Sequence, residues 1–110
     1  MNKLYAFLIA LIIVLGLFTY NFTNNMNMIG EKLFLSLHQN KAAIFVLNSN
    51  YKPDYYTYYL LGRIYFVEGK IEDSIIAFNS AKNLNPDFKE IYYGLGLDYG
   101  FAASLYSDNA

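Results

Sequence analysis

Residues 55–88 read YYTYYLLGRIYFVEGKIEDSIIAFNSAKNLNPDF, and the punctuation in this stretch decides the fold. Asp54, just ahead of it, has the side chain that satisfies a free amide at a helix start. Tyr58, Leu61, Ile64 and Tyr65 follow at the spacing of one helix face, up to Gly69, where a left-handed turn costs glycine little. A second helix carries Ile71, Ile75, Phe78, Ala81 and Leu84 on one face and stops at Asn85-Pro86. Glu72 and Asp73 beside Lys70 read as a solvated helix start favoured by the macrodipole, not as a metal site.

Working downstream, Asp87 and Glu90 have the spacing of a capping box for a third helix, through Tyr106. Its apolar face holds Ile91, Tyr92, Leu95, Tyr99, Ala102 and Leu105. Laid over each other, Tyr58-Leu61-Gly62-Tyr65 and Tyr92-Leu95-Gly96-Tyr99 match at an offset of 34 residues. In this period and pattern the chain resembles the tetratricopeptide repeat (TPR) family. The positions that carry the resemblance are Tyr58, Leu61, Gly62, Tyr65, Ser74, Phe78, Ala81 and Pro86, where the family prefers Trp, Leu, Gly, Tyr, Ala, Phe, Ala and Pro. It covers one full repeat, Tyr55–Phe88, and the first helix of another. Small Gly62 and Ser74 let the two helices of a repeat approach, Tyr58, Tyr65 and Phe78 fill the space around them, and Pro86 ends the second helix.

Upstream, Leu33, Phe34 and Leu37 recur at helical spacing, and Ala43, Phe45, Val46 and Leu47 fit a helix or a strand. Residues 31–54 are therefore expected to form a degenerate helical hairpin turning near Gln39-Asn40. The asparagine-rich, uncharged run of residues 23–30 reads as a spacer.

The amino-terminal end is different in kind. Leu4 to Tyr20, LYAFLIALIIVLGLFTY, contains neither charge nor proline. As a helix it rises about 25 Å, near the short limit of a bilayer crossing, and extension to Phe22 adds length. Tyr5 and Tyr20 stand where interfacial rings belong, and Leu17 to Ile29 lacks the small residues of a cleavage site. Residues 1–22 are thus expected to be an uncleaved transmembrane anchor. Lys3 at the amino end places the rest of a single-pass membrane protein on the extracytoplasmic side. The sequon Asn21-Phe22-Thr23 is a chance match beside that span. The fold class expected is all-α: a short solenoid of TPR-like hairpins behind one transmembrane helix.

The chemistry on offer is contact, not catalysis. The 110 residues carry 8 basic and 9 acidic side chains and no cysteine, which excludes disulfides, thiol nucleophiles and cysteine-ligated metals. A net charge of −1 argues against nucleic-acid binding. The one histidine, His38, has no recognisable nucleophile or carboxylate arrangement around it, and Gly94, Gly96 and Gly100 lie in a helical pattern and not in a phosphate loop. No cofactor and no metal are expected. The resemblance implies instead that first helices line a concave, partner-binding groove, with Tyr56, Tyr59, Arg63 and Phe66 from one helix and Glu90, Tyr93, Leu97 and Phe101 from the next. Arg63 suits a carboxylate on a peptide. The lysine-and-asparagine pattern of chaperone-tail-binding TPR domains is missing. The last helix lacks a following partner, and Asp98 disfavours its entry into a bilayer. It is expected to cover its apolar face by homo-oligomerisation or against another protein. The function expected is a membrane-anchored interaction module, an assembly factor or accessory subunit of a membrane or envelope complex. The alternative is a small structural membrane protein that only self-associates.

Overall fold

The computed structural model describes residues 2–108, without the side chains of residues 19–24, 106 and 108. Six helices follow one another: α1 (Asn2–Asn24), α2 (Met26–Leu35), α3 (Asn40–Asn48), α4 (Tyr55–Val67), α5 (Ile71–Leu84) and α6 (Lys89–Asp108). Helices α2 and α3 form one antiparallel hairpin and α4 and α5 another, with α6 packed against the second. α2 begins inside the stretch expected to be a spacer.

Each hairpin is built on one contact between a glycine and a large side chain. A Cβ added at Gly62 would lie 2.7 Å from the Phe78 ring, so α5 can press that ring onto α4 only because position 62 is bare. In the first hairpin a Cβ at Gly30 would lie 2.6 Å from Leu47. Ala43 and Ser74, both fully buried, are the small residues on the opposing helices. Around these contacts lie two apolar clusters. One gathers Phe34, Ala43, Leu47, Leu60, Leu61, Ile64 and Ala77 from four helices, and the other Phe78, Ala81, Ile91 and Leu95. Burial of each large aliphatic or aromatic side chain contributes about 1.5–3 kcal/mol.

Turn chemistry sets the helix ends. Asp54 caps α4 through a reciprocal pair, its carboxylate accepting from the Thr57 N–H while the Thr57 hydroxyl accepts from the Asp54 N–H. Asn27 of α2 joins this cap, donating to Asp54 at 2.8 Å and accepting from Thr57 at 2.6 Å, so an asparagine of the expected spacer ties the two hairpins together. These hydrogen bonds outweigh desolvation and hold the Asp54 carboxyl below the usual range. Gly69 turns the chain at φ +77°, as its position predicts. α6 starts at Lys89, not at Asp87, because Asp87 lies in the turn where its N–H donates to Asn85 Oδ1.

The membrane reading is corrected. Among the described residues no helix is long and apolar enough to cross a membrane. The transmembrane anchor at residues 1–22, the single-pass membrane localisation and the extracytoplasmic placement that depended on them are not supported. Tyr20, Phe22 and the sequon lie outside the described side chains. α1 touches only α2 among the described elements.

Candidate functional site

The first helix of each hairpin and α6 turn one side toward a common concavity of about 360 Å³. Tyr59, Arg63, Phe66 and Val67 of α4 and Glu90, Tyr93, Gly94 and Leu97 of α6 form two walls. Phe34 of α2 closes one end and Phe78 of α5 lies at the base. Helical periodicity explains the set, because Tyr59, Arg63 and Phe66 recur on one face of α4 as Glu90, Tyr93 and Leu97 do on α6.

Six of the eight residues expected on a concave face thus share one cavity: Tyr59, Arg63, Phe66, Glu90, Tyr93 and Leu97. Tyr56 lies outside its lining. It packs on the rings of Tyr55, Tyr59 and Phe88, and both burial and the nearby Glu31 carboxylate push its phenol pKa up. Phe101 is also outside, its ring edge-on to Phe66 at 6.4 Å. Val67 and Gly94 line the cavity beyond the expected set, and the residue that sequence reasoning missed on the other hairpin is Phe34. It belongs to a hairpin without the fixed offsets of the next one, and only its place on a first helix hints at the role.

Arg63 is the cationic feature of the concavity. Its guanidinium carbon lies 5.5 Å from the centre of the Phe34 ring and 5.7 Å from that of Tyr59, within the range of cation–π attraction. Two aromatic faces restrain the planar group and leave its N–H edges to hydrogen-bond. Glu90 is exposed at the rim of the other wall.

The packing residues divide sharply. Leu61, Gly62, Ser74, Phe78 and Ala81 are buried, and Tyr58 and Tyr65 are half-buried against the clusters. In α6, Leu95 is buried, but Tyr92 and Tyr99 are exposed and a Cβ at Gly96 would meet nothing within 4 Å. Three of the four positions expected to pack there do not, because no helix covers that side among the described residues. Tyr92 instead donates its hydroxyl to the Pro86 carbonyl. The tight glycine of α6 is Gly94, where a Cβ would lie 2.5 Å from the Phe78 ring. Pro86 itself is exposed and follows the end of α5.

Asp98 is fully buried. Its carboxyl oxygens lie 2.7 and 3.0 Å from the Ser74 hydroxyl, which lies 2.8 Å from the Gly62 carbonyl. Burial raises the Asp98 pKa, with the Ser74 hydrogen bond pulling the other way. His38 is exposed in the turn between α2 and α3, at φ +53°, just ahead of the Gln39-Asn40 pair where that turn was expected. Among the described residues no group of His, Cys, Asp and Glu could hold a metal ion.

With the hairpins and the groove in view, the family comparison falls on the same segment. Residues 62–100 match the TPR repeat family. This TPR signature runs from Gly62 in α4, through α5, to Gly100 in α6, and it takes in the α6 wall, the base and all of the α4 wall but Tyr59. No curated protein and no solved structure matches the chain. The TPR signature points to a protein–protein interaction module.

Proposed function

We propose that this TPR module is an adaptor that holds a short peptide of a partner protein in the groove between α2, α4 and α6, without catalysing a reaction. The observation that carries the reading is Arg63, held against the rings of Phe34 and Tyr59 in a largely aromatic and apolar concavity whose other charged residue is Glu90. A guanidinium so restrained offers a carboxylate two parallel N–H donors and loses little side-chain entropy on binding. The adjoining space among Phe66, Phe78, Tyr93 and Leu97 suits one apolar or aromatic side chain. The ligand is therefore a peptide with an acidic group next to a large apolar residue. Glu90 repels a second acid at the α6 rim. In this reading the protein serves as an assembly factor or accessory subunit by bringing its partner to a complex.

A fluorescent peptide library varied at the acidic and apolar positions tests this, using the full chain. Binding should favour peptides with both features and fall about tenfold or more with Arg63→Gln, the scale of losing a charge-assisted hydrogen bond. Equal binding of the acidic peptides and their amide counterparts would exclude the reading.

Self-association is supported by a separate observation, the exposed Tyr92 and Tyr99 flanking the open Gly96 on the outer face of α6. Light scattering on the full chain, with Gly96→Trp as the variant that blocks close approach, decides it. Dimers lost on substitution would support it, and monomers throughout would remove it.

A further inference from the structure

At the crossing of α4, α5 and α6, three polar groups share too few protons for every state of Asp98. The Ser74 hydroxyl has one proton, and it lies within hydrogen-bond distance of both the Gly62 carbonyl and the Asp98 carboxyl group. With Asp98 protonated, its O–H donates to Ser74 Oγ and the Ser74 O–H donates to Gly62, so each contact is a hydrogen bond. With Asp98 ionised, the Ser74 proton must turn to the carboxylate. The Gly62 oxygen then faces a bare lone pair, and a buried negative charge is left with one neutral donor.

We infer that Asp98 is a positioning residue whose proton clamps α6 to the α4–α5 hairpin, and that the peptide groove loosens as this proton is lost. The inference rests on the groove reading for its functional consequence, but not for the clamp itself. Asp98 follows Leu97 directly, so the same turn of α6 carries the clamp and a wall of the concavity. The other charged and titratable groups nearby are engaged elsewhere or exposed. On α4, Arg63 lies over Phe34 and Tyr59, Tyr65 packs in the first apolar cluster, and Glu68 following its end is exposed. At the start of α5, Lys70, Glu72 and Asp73 are exposed, as are Glu90, Tyr92, Tyr93 and Tyr99 on α6. Among the described residues Ser74 is the hydrogen-bond partner of the Asp98 carboxyl group.

Hydrogen exchange of the full chain, read against Asp98→Asn at each pH over the whole range in which both stay folded, tests the clamp. The amide of the variant donates to Ser74 at every pH and so stands for the protonated acid. The wild type should match the variant in acid and then lose α6 protection relative to it as pH rises, while α2 and α3 stay equal in both. In the same series, a fluorescent acidic-aromatic peptide should bind the wild type up to about tenfold more weakly for each pH unit above the Asp98 pKa, because only the clamped fraction binds. It should bind Asp98→Asn evenly. Should Asp98→Asn fail to fold, the double variant Ser74→Ala with the isosteric Asp98→Leu removes both partners and gives the pH-independent reference. A wild-type α6 protection that keeps a constant ratio to the reference at all pH values overturns the inference. Failure of the peptide to bind at any pH, with the exchange difference intact, would overturn only the groove reading.

Discussion

Gly62 and Gly96 stand 34 residues apart at matching places in the sequence pattern, and the molecule uses them in opposite ways. At Gly62 the Phe78 ring occupies the space where a side chain would begin, whereas at Gly96 that space is open. The pattern marks where a helix can be approached closely, and the presence of a partner decides whether it is. In α4 the partner is α5, and the result is a buried seam of Leu61, Gly62, Ser74 and Phe78. In α6 the same pattern leaves Tyr92 and Tyr99 exposed.

Phe78 is the sharpest way to break this contrast, since its ring meets both Gly62 and Gly94 and stacks near Tyr59 at 6.0 Å. Phe78→Ala should cost about 3–5 kcal/mol, measured by urea denaturation, because a cavity opens where three helices meet. Gly62→Ala should cost about 1–3 kcal/mol, as the rigid ring must move. Gly96→Ala should instead stabilise the protein by up to about 1 kcal/mol, through helix propensity in open space. Two glycine substitutions of opposite sign would establish the asymmetry; equal signs would refute it.

The cap between the hairpins gives a comparable but smaller effect. Asp54→Ala should cost about 1 kcal/mol. The wild-type advantage over this variant also has a defined pH dependence. The folded-state pKa of Asp54 lies below its unfolded value, so its contribution is present above the unfolded pKa and lost as pH falls through the folded one. Thermal melts of both proteins in acid should therefore converge. The Asp98 contribution runs the other way, since its folded pKa is raised and its stabilisation is lost as pH rises through that value.

What could be read from the chain follows from which interactions are local. The ends of α4 and α5, the Gly69 turn and the Gly62–Phe78 pairing lie within one hairpin whose residue types match the repeat pattern. The first hairpin hid its equivalent contact for a simple reason. Its turn spans residues 36–39, against 68–70 in the second, and the extra residue shifts Leu47 out of the fixed offset from Gly30. Asn27 read as spacer because its partners, Asp54 and Thr57, are distant in sequence. Gly94 was no more legible, since only the fold brings the Phe78 ring against it.

The groove was partly legible, because helical spacing places Tyr59, Arg63 and Phe66 together and Glu90, Tyr93 and Leu97 together. That Phe34 completes the seat of Arg63 depends on how one hairpin stacks on the next. The amino-terminal helix shows the opposite error. An uninterrupted apolar run suggested a bilayer span, but among the described residues no helix is long and apolar enough to cross a membrane.

The central claim is that ligand is held on the concave side, between α2, α4 and α6. Amide chemical-shift mapping of the full chain with an acidic-aromatic peptide tests it most directly. Saturable shifts are expected at Phe34, Arg63, Tyr93 and Leu97, absent in Arg63→Gln. Shifts confined to Tyr92, Gly96 and Tyr99, on the outer face of α6, would contradict it.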